Sequence, residues 1–68
     1  RSSTKEFIKF LNISQGSLAE LLTQLTLSAD FGYLTNDELS QVEAKIESLG
    51  KMTSSAILNM KARLARPI

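Results

Sequence analysis

The sequence predicts an all-α fold: an antiparallel hairpin of two long helices. Apolar residues recur at spacings of three and four through both halves of the chain, which is typical of amphipathic helices. Two capping boxes, Ser3–Glu6 and Thr35–Glu38, each predict a helix start. Gly32 lies before the second start, where a glycine commonly ends a helix. Because the connection is so short, the two helices are expected to lie side by side.

The first helix is predicted over about residues 4–31, followed by a turn at 32–35. Its apolar residues fall within one arc of about 140° when each residue turns the helix by about 100°. They are Phe7, Ile8, Leu11, Leu18, Leu21, Leu22, Leu25 and Ala29. Ser14 lies inside this arc as a small polar gap. One side of the first helix is therefore predicted to be covered by neighbouring helices.

The second helix is predicted over about residues 36–65, so that residues 1–68 form a single domain. Leu34 and Leu39 flank the Thr35 cap at the spacing of a hydrophobic staple. A heptad-like seam then follows, consisting of Leu39, Val42, Ile46, Leu49, Thr53, Ala56 and Met60, with Ile57 and Leu64 beside it. Pro67 is predicted to end the helix.

Two helices alone are not expected to cover both apolar arcs. A core built from 68 residues rarely supplies more than about 3–5 kcal/mol, and the chain has no cysteine for a disulfide. The sequence therefore predicts self-association, as a dimer or a higher oligomer, into an up-and-down four-helix bundle. The residues expected to pack in the core or the oligomer are Phe7, Leu11, Leu18, Leu25, Leu39, Val42, Ile46, Leu49 and Met60.

Other apolar and glycine positions leave alternatives open. Ile13, Leu27 and Leu58 lie off the main arcs, either as a second contact face or as scattered surface residues. Gly16 and Gly50 each lie in mid-helix, at a cost of up to about 1 kcal/mol relative to alanine. Gly16 indicates the close approach of another helix, a local bend or simple tolerance of glycine.

The residue types argue against catalysis. The chain has no histidine and no cysteine, which removes the commonest general base and the thiolate metal ligands. Asp37 and Glu38 suit the first turn of a helix, and Glu47 pairs with Lys51 at a spacing of four. No carboxylate lies on an apolar arc, and no glycine-rich phosphate loop is present. We expect no enzyme activity, no cofactor or metal, and no small-molecule substrate.

The chain also lacks the patterns of membrane and exported proteins. No apolar run approaches the roughly 20 residues of a membrane span, and the first residues do not form a signal peptide. We therefore expect a cytoplasmic protein without a membrane partner.

Charge is segregated along the predicted hairpin although the net charge is only +1. The open end carries Arg1, Lys5, Lys9, Lys51, Lys61, Arg63 and Arg66, opposed by Glu6. The turn half carries six carboxylates, opposed by Lys45. These cations are either solvated charges, partly complementing a helix dipole, or a basic rim for RNA or DNA. The residues of that candidate rim are Arg1, Lys5, Lys9, Lys61, Arg63 and Arg66.

Several ordered segments carry a family resemblance. They are residues 5–11 (KEFIKFL), 16–21 (GSLAEL), 23–25 (TQL), 31–34 (FGYL) and 50–52 (GKM). Taken together they resemble the small four-helix-bundle proteins encoded in intervening sequences of bacterial 23S ribosomal RNA genes. The match covers nearly the whole chain and begins where the third helix of such a bundle would begin.

The resemblance implies an up-and-down bundle that assembles into homo-oligomers, with pentameric rings expected. Two further helices precede this region in the family, so we expect the hairpin to be completed either by such helices or by another copy. The biochemical role of the family is not established, and a related group is thought to bind nucleic acid through a basic surface. No catalytic residue carries over. The favoured interpretation is an oligomeric structural module, with a nucleic-acid-binding accessory protein as the alternative.

Overall fold

The chain is a hairpin of two α-helices. The computed structural model describes residues 3–66, which form α1 (Thr4–Asp30) and α2 (Asn36–Ala65). The helices pack against each other along an elongated molecule of 55 × 19 × 15 Å. The all-α hairpin predicted from the sequence is therefore confirmed. Arg1, a residue of the candidate basic rim, and Pro67, which was expected to end the second helix, lie outside the described residues.

Both helices begin with the predicted capping boxes. At α1, the Glu6 N–H donates to Ser3 Oγ at 3.1 Å, and the Ser3 N–H donates to Glu6 Oε1 at 2.9 Å. At α2, the Glu38 N–H donates to Thr35 Oγ1 at 3.1 Å, and the Thr35 N–H donates to Glu38 Oε1 at 2.9 Å. Each box satisfies backbone donors that have no partner within the helix.

A Schellman motif ends α1. The Tyr33 N–H donates to the Ser28 carbonyl at 2.9 Å, and the Gly32 N–H donates to the Ala29 carbonyl at 3.0 Å. The motif requires a left-handed residue between helix and turn, and Gly32 supplies it with φ of +85°. Glycine adopts this conformation without the steric penalty of a Cβ. The chain can then reverse within the five residues 31–35.

The seam between the helices follows a heptad pattern. On α1 it consists of Thr4, Ile8, Leu11, Gln15, Leu18, Leu22, Leu25 and Ala29, all buried or half-buried. On α2 it consists of Leu39, Val42, Ile46, Gly50, Thr53, Ile57 and Met60. Among the described residues only Ile8, Ile46 and Ile57 are buried, so the core of the hairpin is thin.

The seam of α2 shifts by one residue near its middle. Leu49, expected in the seam, is 49% exposed, whereas Gly50 is half-buried. After this shift Ile57, which was expected beside the seam, is among the buried residues. On a straight helix, positions that repeat every seven residues move around the helix axis by about 20° per heptad. The spacing of four between Ile46 and Gly50, in place of three, compensates for this drift.

A hydrogen bond between side chains fixes the relative height of the two helices. Gln15 Nε2 donates to Ser54 Oγ at 2.6 Å and lies 3.5 Å from the Gly50 carbonyl oxygen. Gln15 is a polar residue in the middle of the α1 seam, and this contact satisfies its side-chain donor. Residues near 15 on α1 therefore lie level with residues near 54 on α2.

Candidate interaction surface

The hairpin has two broad faces, and the position of a residue relative to the seam shows on which face it lies. A residue that precedes a seam position is turned by about 100° towards one side, and a residue that follows it is turned towards the other. The rule gives the same side of the hairpin for both helices. In an antiparallel pair the second helix runs in the opposite direction and its contacting side also points in the opposite direction, so the two reversals cancel. The grooves beside Gln15 are lined by residues that follow the seam, including Glu47, Lys51 and Ser54. We call this side the polar face.

The opposite side is lined by residues that precede the seam, and we call it the apolar face. Its middle presents Phe7, Phe10, Ser14, Ser17 and Leu21 from α1 and Leu49, Met52 and Ala56 from α2. Towards the turn the same side carries the polar or charged residues Gln24, Ser28, Glu38, Gln41 and Lys45, and towards the open end it carries Asn59. The five large side chains Phe7, Phe10, Leu21, Leu49 and Met52 are all exposed, and Phe10 and Met52 are more than 60% exposed. Each of these five residues therefore keeps between 42% and 65% of its surface exposed.

The two serines in the middle of the apolar face are hydrogen-bonded within α1. Ser14 Oγ donates to the Phe10 carbonyl at 3.0 Å, and Ser17 Oγ donates to the Ile13 carbonyl at 3.2 Å. Each hydroxyl proton is thus bonded within α1 before any partner arrives. Covering the face leaves neither hydroxyl donor without a partner, so the usual cost of burying a polar group is reduced.

The exposed area of the chain also indicates an uncovered surface. A compact monomer of 7.5 kDa exposes about 4,250 Å² by the usual scaling of surface with mass. The hairpin exposes 5601 Å², an excess of about 1,350 Å² over that scaling. A stable protein interface buries about 800 Å² on each partner, so the excess is large enough for one.

The structure distributes the predicted core residues between the seam and the apolar face. Ile46 is buried, and Leu11, Leu18, Leu25, Leu39, Val42 and Met60 are half-buried. Phe7 and Leu49 instead lie exposed on the apolar face. Sequence reasoning left Met52 and Ser17 out of the packing surface and gave Ser14 only as a polar gap in the arc, although a second heptad stripe at 7, 10, 14, 17 and 21 could have indicated the face. It also did not anticipate the Gln15–Ser54 contact.

The apolar residues that lay off the predicted arcs do not come together. Ile13 and Leu27 lie on the outer side of α1, separated by 14 positions, and Leu58 follows a seam position on α2. Phe31 and Tyr33 are exposed at the turn. The structure thus groups none of the three outlying residues into one face. A Cβ built on Gly16 or Gly50 would meet nothing within 4 Å, so contact between α1 and α2 accounts for neither glycine.

The described cations of the candidate rim are all exposed. Lys5, Lys9, Lys61, Arg63 and Arg66 lie in the open half of the hairpin, residues 3–14 and 51–66, and Arg1 lies outside the described residues. With Lys51 this half holds six cations and one carboxylate, a net charge of +5. The turn half, residues 15–50, holds one cation and six carboxylates, a net charge of −5. The hairpin is therefore electrically polar along its length.

Within residues 3–66, no three His, Cys, Asp or Glu side chains are grouped as they would be around a metal ion. Every buried side-chain nitrogen or oxygen of this range has a hydrogen-bond partner. Neither described helix has the length and hydropathy needed to cross a membrane.

Fold and surface together define an all-α helical hairpin whose apolar face is uncovered. Residues 1–55 match the family described as 23S rRNA-intervening sequence protein, and the chain belongs to this family. The resemblance predicted from the sequence is thereby confirmed. No curated protein and no solved structure was found to match the chain.

Proposed function

We propose that this chain is a non-enzymatic helical packing module that self-associates through its apolar face. The observation that carries the proposal is the exposure of the five large side chains on one side of the hairpin. Exposed apolar patches of several hundred Å² are rare on monomers and mark interaction sites. A second hairpin on this face would complete an up-and-down four-helix bundle, which is the fold that the family resemblance implies.

The mass of the chain in solution tests this proposal, with two substitutions of matched chemistry. Phe10 and Leu58 are 62% and 68% exposed, but only Phe10 lies on the apolar face. We expect sedimentation equilibrium to give a dimer or higher oligomer. Phe10→Ser is expected to raise the dissociation constant by at least about tenfold, since the loss of a buried aromatic ring costs more than about 1.4 kcal/mol. Leu58→Ser is expected to leave it within about twofold, because Leu58 lies on the polar face, outside the proposed interface.

Circular dichroism of both variants would confirm that each remains helical. A helical, concentration-independent monomer would contradict the proposal. Equal weakening by Phe10→Ser and Leu58→Ser would show that association uses another surface.

The charge distribution favours nucleic-acid binding as a second candidate function. The open half has a net charge of +5, and its five rim cations are exposed and free to approach phosphates. In an assembly that brings open ends together these charges would add. The alternative is that they are solvated and only complement the end of α2.

Salt dependence tests this second function. If the rim binds RNA or DNA, the logarithm of the association constant is expected to fall linearly with the logarithm of the salt concentration. The slope is about −0.7 to −0.9 for each phosphate neutralised. The triple variant Lys5→Glu, Lys9→Glu, Arg63→Glu is expected to abolish the binding. Lys45→Glu, in the turn half, serves as a charge-reversal control. The absence of binding by the unmodified chain at low salt would exclude this function.

A further inference from the structure

We infer that the chain binds the phosphate backbone of a nucleic-acid duplex through four lysines on its polar face. These residues, which we call the lysine cluster, are Lys5, Lys9, Lys51 and Lys61, and all four are exposed. The inference rests on the second proposed function, because it names the surface and the form of nucleic acid that this function would use. It adds Lys51 to the candidate rim residues and leaves the arginines outside the site.

The seam places all four lysines on one face of the hairpin. Lys5 and Lys9 each follow a seam position of α1, and Lys51 and Lys61 each follow a seam position of α2. Residues that follow the seam lie on the polar face in both helices. The groove beside Gln15, which opens on this face, is lined in part by Lys51. Both helices therefore contribute to the lysine cluster.

At the open end, lysines from the two helices lie at the same height. The side-chain contacts of Gln15 place it level with residues 50–54 of α2. Lys5 lies ten positions nearer the open end of α1, so it is level with residues 60–64, a stretch that contains Lys61. These two lysines therefore lie side by side, one on each helix.

The other two lysines extend the cluster towards the turn. Lys9 lies four positions from Lys5, which is about 6 Å along α1. Lys51 lies ten positions from Lys61, which is about 15 Å along α2. One strand of a duplex carries a phosphate about every 3.4 Å, so the cluster spans about four phosphates of a strand.

No carboxylate within residues 3–66 shares the open half of the polar face with the lysine cluster. Glu6, the carboxylate of that half, lies two positions from a seam residue on either side and so on the outer side of α1. Lys5 and Lys9 lie in the first turns of α1, where the helix dipole is also positive, so dipole complementation does not account for them. The remaining positions of this half of the face are neutral: Asn12, Ser54, Leu58 and Ala65. Such a cluster attracts an anion from outside the chain.

The side chains of the polar face favour the backbone of a duplex over a single strand. Proteins that bind single strands stack the bases on aromatic side chains, and within residues 3–66 the polar face carries no aromatic residue. Phe7 and Phe10 lie on the apolar face, and Phe31 and Tyr33 lie at the turn. Lysine contacts a phosphate as a point charge, without the bidentate geometry of arginine. We therefore expect binding that does not depend on the base sequence.

The turn half of the polar face carries the opposite charge and limits the site. Asp30, Glu43 and Glu47 lie there, and within the described residues this part of the face has no cation. These carboxylates repel phosphates, whereas the lysine cluster attracts them. The duplex is therefore held over the open half of the hairpin.

Matched charge reversals within the open half test the inference. Lys9→Glu with Lys61→Glu changes two members of the lysine cluster, and Arg63→Glu with Arg66→Glu makes the same change in net charge in the same half. Arg63 lies seven positions after Ala56, on the side of the apolar face, and Arg66 is the C-cap residue of α2. The probes are a DNA duplex of about 20 base pairs, an RNA duplex of the same sequence and the separate strands, at about 100 mM salt.

We expect the unmodified chain to bind both duplexes more tightly than the separate strands. For the DNA duplex, the logarithm of the association constant is expected to fall with the logarithm of the salt concentration at a slope of about −3.6, since each of four contacts contributes about −0.9. Reversal of Lys9 and Lys61 is expected to weaken binding at least about tenfold and to reduce the slope by about 1.8, because two phosphate contacts are lost. Reversal of Arg63 and Arg66 is expected to weaken it by at most about threefold, because salt screens charges outside the site.

The outcomes separate this inference from the second proposed function. Equal weakening by the two pairs would show that affinity follows the charge of the whole open half, which overturns the inference and leaves the function standing. Tighter binding to the separate strands would do the same, because the ligand would then not be a duplex. No binding of any probe by the unmodified chain would overturn both.

Circular dichroism of each variant shows whether it remains helical. If a pair of reversals unfolds the chain, the comparison is repeated with glutamine at the same positions: Lys9→Gln with Lys61→Gln, against Arg63→Gln with Arg66→Gln. The lysine pair is again expected to give the larger loss of affinity. Equal losses would overturn the inference in this form of the test as well.

Discussion

At the scale of single residues, Gly16 and Gly32 show how the same amino acid serves different purposes. Gly32 has φ of +85°, a conformation that other residues rarely adopt. Gly16 lies within α1, and a Cβ added there would meet nothing within 4 Å. The hairpin itself therefore requires a glycine at position 32 but not at position 16.

We expect Gly16→Ala to raise the free energy of unfolding by about 0.5–1 kcal/mol, because alanine favours the helix and restricts the unfolded chain. Gly32→Ala is expected to lower it, because the left-handed conformation is strained for alanine. Urea denaturation followed by circular dichroism measures both. A fall on Gly16→Ala would show that another helix of the assembly approaches closely at that position.

At the scale of elements, both helices could be placed from the sequence because their ends are signalled by local chemistry. The Ser3 and Thr35 capping boxes form as the spacing to Glu6 and Glu38 predicted. Gly32 ends α1 through a Schellman motif that depends on few neighbouring residues. Such signals need no knowledge of tertiary packing.

The course of the seam could not be predicted in the same way. Leu49 and Gly50 are adjacent, and which of them turns towards α1 depends on how far two helices coil around each other. The pattern of apolar residues favoured Leu49, whereas the structure turns Gly50 inward and leaves Leu49 for the apolar face. The candidate surface was therefore only partly predictable: Phe7 and Leu49 were named, but their common side was not.

The cap of α2 gives a prediction at this scale. Thr35→Ala is expected to lower the free energy of unfolding by about 1 kcal/mol, because the Glu38 N–H loses its acceptor. Thr35→Ser keeps a hydroxyl at the same position and is expected to stay within about 0.5 kcal/mol of the parent chain. Thermal or urea unfolding of the three proteins measures the difference. Equal losses in both variants would show that the methyl group of Thr35, rather than its hydroxyl, stabilises the turn.

At the scale of the whole molecule, the chain exposes more surface than its mass predicts for a compact monomer. Only three described residues are buried, and none is fully enclosed. Such a core does not readily offset the conformational entropy of ordering two long helices. The stability of the hairpin is therefore expected to depend on association.

If association supplies that stability, dilution is expected to lower the unfolding temperature. A protein that folds as an oligomer unfolds at a temperature that depends on its concentration, by mass action. Circular dichroism melts over a hundredfold range of concentration measure this shift, with Phe10→Ser expected to melt lower at each concentration. An unfolding temperature independent of concentration would mean that the two helices are stable alone.

The short connection through Gly32 also determines the order in which contacts between α1 and α2 form during folding. Each contact between α1 and α2 closes a loop that contains the turn, and the loop lengthens steadily from the Leu34 end towards Ile8 and Ile57. Longer loops cost more chain entropy to close, so zipping is expected to start at the turn and reach the open end last. The end that carries the cations is then the part of the chain that frays first and re-forms last.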